Sequence, residues 1–589
     1  MAGLRSNKSF SIIFLVVLMH ENSRNLIHRD QQKISRNLEM VSKPTLKPKP
    51  FPIFFISILL SILVITMWFW PNPYENYADQ YSTKRDIFES VTRPKWYEIV
   101  AEDHKYKGLK IGTVNIDRKV NIFDELHEGL YVKEVKFQPV AQNIKWSDLF
   151  PVWINEEYPE LQTCPEIPMP QFEEFQDLNV VVATVPCPGM ATKLGFIDIF
   201  RLQVNLVVAN LLVKSNKSIV DFSGDVYAVF LGSCGPMDEI FRCEDLLWHD
   251  NDIWVYKPDL RKLKQKMRMP VGTCQLARPT EEAAQVGWNK NASNSILQQP
   301  REAYVTVLHS SEDYLCGAIV LGQSIINSKS KKDMILLADS SISSESSKAL
   351  RHAGWKIKRI ERIKSPNAGK NAYNKYNYSK LRIWLLTEYD KVMFIDSDML
   401  VFQNLDEFFL YPQLSAAENN RHIFNSGVML IEPSRCTFET MMEKRFTIVS
   451  YNGGDQGFLN EIFRWWHRWP NKANFLKDFS NIDCGPDHLY PKNTHAMHYL
   501  GVKPWMCYRD YDCNWDIEDN QRFASDSAHA KWWQVFDSMP NKLKPVCVLT
   551  PDMEERAVIF RRIAKDGNYS DGHWKIKVKD PRRKMNDIP

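Results

Sequence analysis

The chain has 589 residues, of which 44% are hydrophobic and 12% aromatic, and its formal net charge at pH 7 is +4. This length exceeds one ordinary domain, and the apolar content is that of a protein with packed cores, so we expect two folded parts. So small a charge for this length argues against a nucleic-acid-binding protein, whose domains usually concentrate positive charge.

The first predicted element is a membrane anchor at residues 51–70, a segment without any charged residue. A helix of that length spans roughly 30 Å, which is the thickness of the hydrocarbon core of a bilayer. The alternatives are a buried core helix, which rarely lacks a polar face over such a length, and a signal peptide, whose apolar part is usually shorter. A second apolar run, residues 10–19, is too short to span a bilayer and has no assignment.

The charge around the anchor predicts its orientation. Basic residues outnumber acidic ones between residues 30 and 49, just before the anchor. By the positive-inside tendency, residues 1–50 form a cytosolic tail and the chain beyond residue 70 is lumenal. We therefore expect a single-pass type II membrane protein.

Cysteines and glycosylation sequons fit a lumenal location. The chain has 11 cysteines, so ten can pair in an oxidising lumen and one is left over. Cys507–Cys513 and Cys234–Cys243 are candidate pairs, and buried free thiols are the alternative. Sequons for N-glycosylation begin at Asn216, Asn291, Asn377 and Asn568.

Residues 71–298 are predicted to contain a stem, up to residue 93, and a smaller lumenal domain. Apolar runs typical of strands occur at 178–185 and 226–231, and a helix-like run occurs at 200–213. Residues 280–299 are polar and are interpreted as a linker. The sequence of this region contains no recognisable catalytic cluster.

Residues 299–550 alternate between predicted strands and helices. Strands are expected at 304–308, 334–338, 355–360 and 391–395, and helices at 314–326, 344–352 and 376–386. The alternation predicts an α/β domain with a mostly parallel sheet and helices on both faces, in which ligands bind beyond the carboxyl ends of the strands. The remaining residues, 551–589, are interpreted as a C-terminal tail.

The first candidate site is Asp396-Ser397-Asp398, which directly follows the apolar run 392–395. Two carboxylates at a strand end can bind one hard divalent cation, and magnesium and manganese favour such ligands together with substrate phosphates. Two other D-x-D strings, at residues 250–252 and 510–512, lack this apolar setting and are interpreted as ordinary polar turns.

The second candidate is His498, in the string H-x-x-G-x-K-P-W at residues 498–505. A neutral imidazole can complete the coordination of the same cation. Gly501 permits close approach of the backbone to a ligand, and Lys503 offers a positive charge to a phosphate. The alternatives are a packed histidine at this position and metal binding by the neighbouring His495.

Two further strings suit the binding of sugar hydroxyls. Asn425-Ser426-Gly427 stands at the entrance of a predicted apolar strand, 428–431, and N-G-G-D-Q-G at 452–457 opens a predicted helix, where backbone N–H groups are free. Within the second string, Asp455 and Gln456 would contact the sugar. The alternatives are a plain turn for the first string and a helix N-cap by Asp455 for the second.

In order and content these strings resemble the retaining glycosyltransferases of family 8, the glycogenin-like enzymes, over residues 304–505. Y-V-T at 304–306 and S-K-L-R-I-W at 379–384 belong to the same resemblance. It implies a GT-A fold of the Rossmann-like type, retention of the anomeric configuration, a UDP-sugar donor and a bound Mn²⁺.

The resemblance also assigns roles to single residues. It implies that Asp396, Asp398 and His498 hold the ion, and that Asp396, Asp398 and Asp455 are catalytic. The residues that it implies for donor binding are Thr306, Val307, Tyr314, Lys380, Asp396, Ser397, Asp398, Asn425, Ser426, Gly427, Asn452, Gly454, Asp455, Gln456, His498, Gly501 and Lys503.

A narrower resemblance lies before this domain. The strings F-L-G-S-C-G-P-M at 230–237 and M-P-V-G-T-C at 269–274, with the predicted anchor, look like the plant glucuronosyltransferases that substitute xylan. This implies an enzyme of the Golgi membrane that transfers glucuronic acid from UDP-glucuronate to xylan during cell wall biogenesis. The alternatives are another donor or acceptor, as in galacturonosyl-, glucosyl- or galactinol-type transfer, and a non-catalytic lumenal scaffold.

Three features of the reaction stay open at this point. Retention is compatible with a covalent nucleophile, for which Asp455 is the candidate, and with attack of the acceptor hydroxyl on the front face. A donor carboxylate needs a cationic partner, for which Arg382 and Lys375 are available, with a solvent-facing position as the alternative for Arg382. The candidate aromatic residues for an acceptor groove, with core packing as their alternative, are Trp465, Trp466 and Trp469.

Overall fold

The computed structural model describes most of the chain between residues 94 and 583. The described segments are residues 94–103, 108–116, 131–158, 163–187, 198–215, 225–278, 300–370, 372–419, 423–480 and 488–583. The predicted tail, anchor, stem and linker, and the apolar run at 10–19, all lie outside these segments. All of the described segments belong to one compact unit of the chain. Within the described segments, no helix is long and apolar enough to span a bilayer.

Residues 94–278, here called the N-terminal region, contain a six-stranded sheet of order β2-β1-β3-β4-β6-β5. The strands are β1 (Lys110–Val114), β2 (Tyr131–Val135), β3 (Val180–Thr184), β4 (Tyr227–Leu231), β5 (Leu246–Asp250) and β6 (Ile253–Tyr256). The helices are α1 (Lys95–Asp103), α2 (Trp146–Leu149), α3 (Ile199–Ser215) and α4 (Leu260–Met267). The first four strands in this order run parallel, and β6 is antiparallel to both of its neighbours.

The core of the N-terminal region is built around β3, β4 and α3. Both strands consist almost entirely of buried apolar residues, as expected for parallel strands that are covered on both faces. α3 is apolar on nearly all sides because it packs against the sheet on one side and α4 on the other. The predicted runs at 178–185, 226–231 and 200–213 are therefore confirmed as β3, β4 and α3.

Residues 300–583, here called the C-terminal region, contain a seven-stranded sheet and a three-stranded sheet. The strands are β7 (Glu302–Leu308), β8 (Asp333–Ala338), β9 (Lys356–Arg359), β10 (Lys391–Ile395), β11 (Met399–Val401), β12 (Ser415–Glu418), β13 (Phe424–Ile431), β14 (His467–Arg468), β15 (Phe475–Leu476) and β16 (Ala496–His498). The helices are α5 (Leu315–Asn327), α6 (Ser344–His352), α7 (Arg435–Lys444), α8 (Asp455–Ile462), α9 (Asp526–Ser538) and α10 (Pro551–Asp566).

The larger sheet has the order β14-β12-β13-β10-β7-β8-β9, and the smaller sheet has the order β11-β16-β15. In the larger sheet β10, β7, β8 and β9 run parallel, β12 and β14 run parallel, and β13 is antiparallel to both of its neighbours. The predicted α/β architecture with a mostly parallel sheet is confirmed. The carboxyl end of β10 therefore meets the amino end of β13 and the carboxyl ends of β12 and β14 at one edge.

Two local predictions differ from the structure. The helix expected at 376–386 is a 3-10 helix, Asn377–Leu385, which buries most of its side chains. β13 begins at Phe424 rather than at residue 428, so Asn425, Ser426 and Gly427 lie inside a fully buried strand and not at its entrance.

Residues 551–583, interpreted above as part of a tail, are folded onto the C-terminal region. α10 buries Met553 and Ala557 in a cluster that includes Tyr508. Thr550 caps the helix, because its side chain accepts a hydrogen bond from the backbone N–H of Met553, and Pro551 occupies the first turn. This corrects the tail interpretation for the described part of the segment, since the helix has a buried apolar face.

Disulfide bonds join all ten cysteines of the described segments. The pairs are Cys164–Cys274, Cys187–Cys234, Cys243–Cys436, Cys316–Cys547 and Cys507–Cys513. The predicted pair Cys507–Cys513 is confirmed. The predicted pair Cys234–Cys243 is wrong, because each of these residues has a partner distant in sequence. Cys243–Cys436 connects the N-terminal region to α7 of the C-terminal region.

Candidate active site

The candidate site lies at the carboxyl end of β10. The apolar strand ends at Ile395, and the next turn is fixed by a hydrogen bond of 2.8 Å from the backbone N–H of Asp396 to the carbonyl of Gly427. The chain then enters β11, where Met399 pairs with His498 on β16. The two neighbouring strands thus bring the D-x-D string and the histidine together, although about a hundred residues separate them in sequence.

Asp396, Asp398 and His498 form a group suited to a divalent cation. One ligand atom from each of the three lies within 4.8 Å of the others. His498 Nε2 is 3.3 Å from Asp398 Oδ1, while His498 Nδ1 is buried and has no hydrogen-bond partner among the described residues. The imidazole and the two carboxylates together fit a metal site, because two oxygens and a nitrogen are ligands that Mn²⁺ accepts. The competitor His495 is not part of this group.

Gly427 makes room for this arrangement. A Cβ atom built on Gly427 would lie 2.6 Å from both Cε1 and Nδ1 of His498, so any side chain there would displace the imidazole. Gly501 has a φ of +71°. A Cβ atom built on it would lie 2.1 Å from Asn514 Oδ1. Both glycines are therefore required by local packing, and Gly501 by its backbone conformation as well.

Opposite electrostatic environments distinguish the two aspartates. Burial raises the pKa of Asp396 to about 6, and the negative charge of Asp398 acts in the same direction. Burial alone would also raise the pKa of Asp398, but Lys503 and His498 outweigh it and hold this pKa well below its usual range. Lys503 Nζ is 2.8 Å from Asp398 Oδ2. The lysine and the imidazole thus favour the ionised form of Asp398, whereas burial opposes ionisation of Asp396 and Lys380 favours it.

A second charged cluster adjoins the first. Lys380 Nζ lies 2.6 Å from Asp455 Oδ2 and 3.4 Å from Asp396 Oδ1, and it donates a hydrogen bond of 3.1 Å to the carbonyl of Ser426. Ser426 Oγ donates to Asp455 Oδ2 at 2.8 Å. Burial alone would lower the pKa of Lys380, but the charges of Asp396 and Asp455 raise it. The lysine is thus a fixed positive charge between the metal group and Asp455.

Asn425 and Gln456 support this cluster. The Asn425 side chain donates to Asn419 Oδ1 at 2.8 Å, and its Oδ1 accepts hydrogen bonds from Asn474 Nδ2 and the backbone N–H of Gly427. Gln456 Oε1 accepts from the backbone N–H of Ser426, and Gln456 Nε2 donates to the hydroxyl of Tyr451 at 2.7 Å. Both amides are held in place by these bonds.

Asn452 and Gly454 shape the turn that presents Asp455. Asn452 Oδ1 accepts hydrogen bonds from Ser450 Oγ and from the backbone N–H groups of Gly454 and Gly457. Gly454 is the N-cap residue of α8 and Asp455 is its first residue, so the alternative of an N-cap by Asp455 is wrong. Asn452 therefore positions the helix start through contacts within the turn.

The residues expected at the nucleotide lie on β7 and at the start of α5. Tyr314 is 36% exposed, and its ring packs edge-on against Trp505 with 5.7 Å between centroids. Burial raises the pKa of its hydroxyl, and the nearby charges of Asp398 and Asp396 raise it further, which places the phenol beside the metal group. Thr306 is buried, with no partner for its Oγ1 among the described residues, and Val307 is half-buried.

Two further residues at the strand ends of this edge, His309 and Asp339, belong to no motif that the sequence analysis identified. His309 follows β7 and bonds Ser310 Oγ through Nδ1 at 2.8 Å, and Asp339 follows β8 and pairs with Arg362 at 3.0 Å. Burial lowers the pKa of His309, while the charges of Asp339 and Asp455 raise it. Their positions directly after parallel strands are the only sequence feature that could have identified them.

Several other candidates lie elsewhere. Arg382 contacts Glu361 and the ring of Phe438 rather than the charged clusters, and Lys375 lies 5.3 Å from the centroid of the Tyr376 ring. The tryptophans considered for an acceptor groove are core residues, each at most 1% exposed: Trp465, Trp466 and Trp469.

Comparison with known families agrees with this arrangement. Residues 305–507 match the model of Glycosyl transferase family 8, and residues 85–274 match the model of the GUX1-5 N-terminal domain. Each match corresponds to one of the two α/β regions described above.

Curated relatives are similar over most of the chain. UDP-glucuronate:xylan alpha-glucuronosyltransferase 2 of Arabidopsis thaliana is 48% identical over 488 residues, which cover 81% of each chain. UDP-glucuronate:xylan alpha-glucuronosyltransferase 1 of the same plant is 40% identical over 555 residues, 90% of this chain and 81% of that one. Human glycogenin-1 is 28% identical over 253 residues, 40% of this chain and 71% of that one. The chain is thus a glycosyltransferase that belongs to family 8, in the same group as these Arabidopsis enzymes.

Proposed function

We propose that this enzyme transfers glucuronic acid from UDP-glucuronate to xylan with retention of the anomeric configuration, on a GT-A scaffold with a bound Mn²⁺. The observation that carries the proposal is the complete charged site, Asp396, Asp398 and His498 beside Lys380 and Asp455, in a chain 48% identical to a xylan glucuronosyltransferase. A scaffold that had lost activity would have no reason to keep so many buried charges, which are costly to bury.

Binding of the donor would use the whole edge of the sheet. Tyr314 and Thr306 border the expected position of the nucleoside, and Val307 follows Thr306 near the end of β7. Asp396, Asp398 and His498 would hold the ion, which supplies Lewis-acid stabilisation of the departing diphosphate when it is bound. Lys503 supplies a second positive charge, and it is already held 2.8 Å from Asp398.

Lys380 and Asp455 would act at the bond between the sugar and the diphosphate. Lys380 can stabilise negative charge on the diphosphate oxygens while it orients Asp455 through their 2.6 Å ion pair. Burial alone would raise the pKa of Asp455, but Lys380 and Ser426 lower it and keep the carboxylate ionised. An anion stabilised in this way suits electrostatic support of positive charge at the anomeric carbon better than covalent attack. We therefore favour attack of the acceptor hydroxyl on the front face.

We also propose that the enzyme acts in the Golgi lumen, anchored by residues 51–70 and glycosylated at its sequons. The five disulfide bonds support an oxidising compartment, because such bonds do not persist in the cytosol. One of the sequon residues, Asn568, is exposed just after α10 and could accept a glycan there.

The proposed donor is tested by competition between UDP-glucuronate and UDP-glucose on xylo-oligosaccharides, with the full-length enzyme. We expect glucuronosyl products to dominate when both donors are present at equal concentration. Equal use of both donors, or a preference for glucose, would overturn the donor assignment and leave the glycosyltransferase assignment unaffected.

The proposed cation is tested in the same assay. Chelation should abolish transfer, and added Mn²⁺ should restore it more fully than Ca²⁺, whose larger size and higher coordination number suit a three-ligand protein site poorly. Transfer at the full rate after exhaustive chelation would contradict a metal-dependent mechanism.

A further inference from the structure

The N-terminal region reaches the edge of the C-terminal sheet on which the site is built. The contact is made by residues 151–158, here called the rim segment, which follow α2. The carbonyl of Pro151 accepts a hydrogen bond of 2.7 Å from Arg468 Nη2, and both carboxylate oxygens of Glu156 accept from the backbone N–H of Asn471, at 2.9 and 3.0 Å. The rim segment is therefore attached through Pro151 to the last residue of β14 and through Glu156 to Asn471, just beyond that strand.

A short series of contacts leads from there to the sugar end of the site. Arg468 forms a buried ion pair with Glu418, and Asn471 Nδ2 is 3.4 Å from the same carboxylate. The residue after Glu418 is Asn419, whose Oδ1 accepts the 2.8 Å hydrogen bond from Asn425. Since strands are about 4.8 Å apart, β14 is separated from β13, which carries Asn425, by roughly 10 Å. These contacts connect the rim segment to Asn425, one of the residues expected to bind the donor sugar.

The rim segment presents apolar side chains to solvent on this rigid support. Trp153 is 65% exposed, Tyr158 is 53% exposed and Val152 is 46% exposed, whereas Ile154 between them is buried. Single exposed apolar residues need no explanation, but a tryptophan is large and three such residues within one short, anchored segment indicate a binding surface.

Resting on the proposed function, we propose that the rim segment binds the acceptor polysaccharide, with Trp153 stacked on a pyranose ring some units away from the reacting one. The pyranose units of a β-1,4-linked chain expose flat C–H faces, which pack well on an indole ring, and ring hydroxyls, which suit the polar neighbours Asn155 and Glu157. A stable protein interface usually buries about 800 Å² on each partner, which is more than a segment of this length can supply by itself. The N-terminal region would thereby supply the part of the acceptor site that selects a polymer over a short oligosaccharide.

The test compares full-length wild-type enzyme with Trp153→Ala and Trp153→Phe on xylo-oligosaccharides of increasing length. We expect KM to fall with acceptor length in the wild type, and Trp153→Ala to raise KM for the longest acceptors about tenfold, as for the loss of one binding hot spot. The effect on the shortest acceptors should be much smaller, and Trp153→Phe should retain most of the length dependence. Hydrolysis of UDP-glucuronate without acceptor verifies that the donor site is formed.

Tyr131→Ala is the matched control, because this ring is 53% exposed on β2, the edge strand of the N-terminal sheet, and should leave the length dependence intact. An unchanged length dependence in Trp153→Ala would overturn the proposal while transfer to xylan stands. Phe446 is a competing candidate, because it is 70% exposed in the segment that leads to Tyr451. Loss of the dependence of KM on acceptor length in Phe446→Ala instead of Trp153→Ala would equally overturn the proposal.

Failure of the proposed function would be recognised separately. If no transfer to xylan occurs, migration of the wild type and Trp153→Ala is measured in native gels that contain xylan, glucomannan or soluble cellulose derivatives. Retardation of the wild type alone by one of these polymers would support a polysaccharide surface at Trp153 with that polymer as its ligand. Identical migration of both proteins in every gel would overturn the proposal.

Discussion

The N-terminal and C-terminal regions are both α/β units with parallel strands at their centre, yet they use the strand ends differently. Beyond β4, Arg201 donates hydrogen bonds to the carbonyls of Cys234, Gly235 and Pro236, and Cys234 is held by its disulfide bond to Cys187. Beyond β10, carboxylates, lysine and histidine converge. Topology thus offers a favourable edge in both regions, but the side chains decide whether the edge is closed by structural contacts or left as a site.

Each region contains a D-x-D string, and the two strings can be compared directly. Asp250 and Asp252 lie at the turn between β5 and β6, where both are exposed. Asp396 and Asp398 follow an apolar strand and are surrounded by Lys380, Lys503 and His498. The described residues contain only one other group of His, Cys, Asp and Glu side chains that could hold a metal ion. The two cysteines of that group form the Cys243–Cys436 disulfide bond.

The largest effect should follow from Asp398→Asn. We expect transfer to fall by at least about a thousandfold, because the substitution removes a metal ligand and part of the charge that stabilises the transition state. The matched substitution Asp252→Asn in the N-terminal region should leave kcat/KM unchanged. Both are measured as initial rates at saturating Mn²⁺, with circular dichroism to verify the fold. Substantial activity in Asp398→Asn, or a comparable loss in Asp252→Asn, would contradict the assignment of the site.

Local pattern was sufficient to predict much of the C-terminal region. The strand expected at 391–395 is observed as β10, because it has a continuous apolar run. The helix expected at 344–352 is observed as α6, which is capped by Ser343 and buries Leu350. The D-x-D string and His498 could be paired only through the family resemblance. Nothing in the sequence itself shows that β11 and β16 are neighbours.

Other features depend on tertiary contacts that no local pattern encodes. Residues 377–385 have helical spacing of apolar residues, but the structure draws them into a 3-10 helix that buries Tyr378, Lys380 and Trp384. Disulfide pairing is likewise non-local, since Cys243 and Cys436 are 193 residues apart. The folded segment 551–583 did carry a signal, a threonine cap followed by proline, which the tail interpretation overlooked.

A smaller effect is expected where the two regions meet, at the buried ion pair between Arg242 of the N-terminal region and Glu432 at the end of β13. The Glu432 side chain is 4% exposed, and Arg242 also pairs with Glu244 at 2.6 Å. Glu432→Gln leaves the positive charge of Arg242 paired only with Glu244. We therefore expect the free energy of unfolding at pH 7 to fall by about 3 kcal/mol. The control is Glu388→Gln, which removes an exposed pair with Lys358 and should cost less than about 1 kcal/mol.

The same pair predicts a dependence of stability on pH. Burial alone would raise the pKa of Glu432, but Arg242 and Lys391 outweigh it and lower this pKa to about 2, against 4.5 for an ordinary glutamate. A lowered pKa in the folded state means that the stabilisation is present above pH 4.5 and is lost as the pH falls towards 2. Denaturant titrations should therefore show a weaker pH dependence in this window for Glu432→Gln than for the wild type. Parallel curves for the two proteins would contradict the stabilising role of the pair.

The smallest effect on transfer is expected for the covalent link between the regions. Replacing both Cys243 and Cys436 by serine should lower the free energy of unfolding by about 2–4 kcal/mol, because the bond closes a long loop and restricts the unfolded chain. Since the charged site lies wholly within the C-terminal region, its activity should survive at a temperature where both proteins are folded. The matched control is the replacement of Cys507 and Cys513 by serine, which should cost less because their bond closes a loop with a sequence separation of only 6 residues. If the double variant instead lost transfer while its unfolding midpoint stayed the same, the link would be holding the site rather than the fold, and the division of roles between the two regions would have to be redrawn.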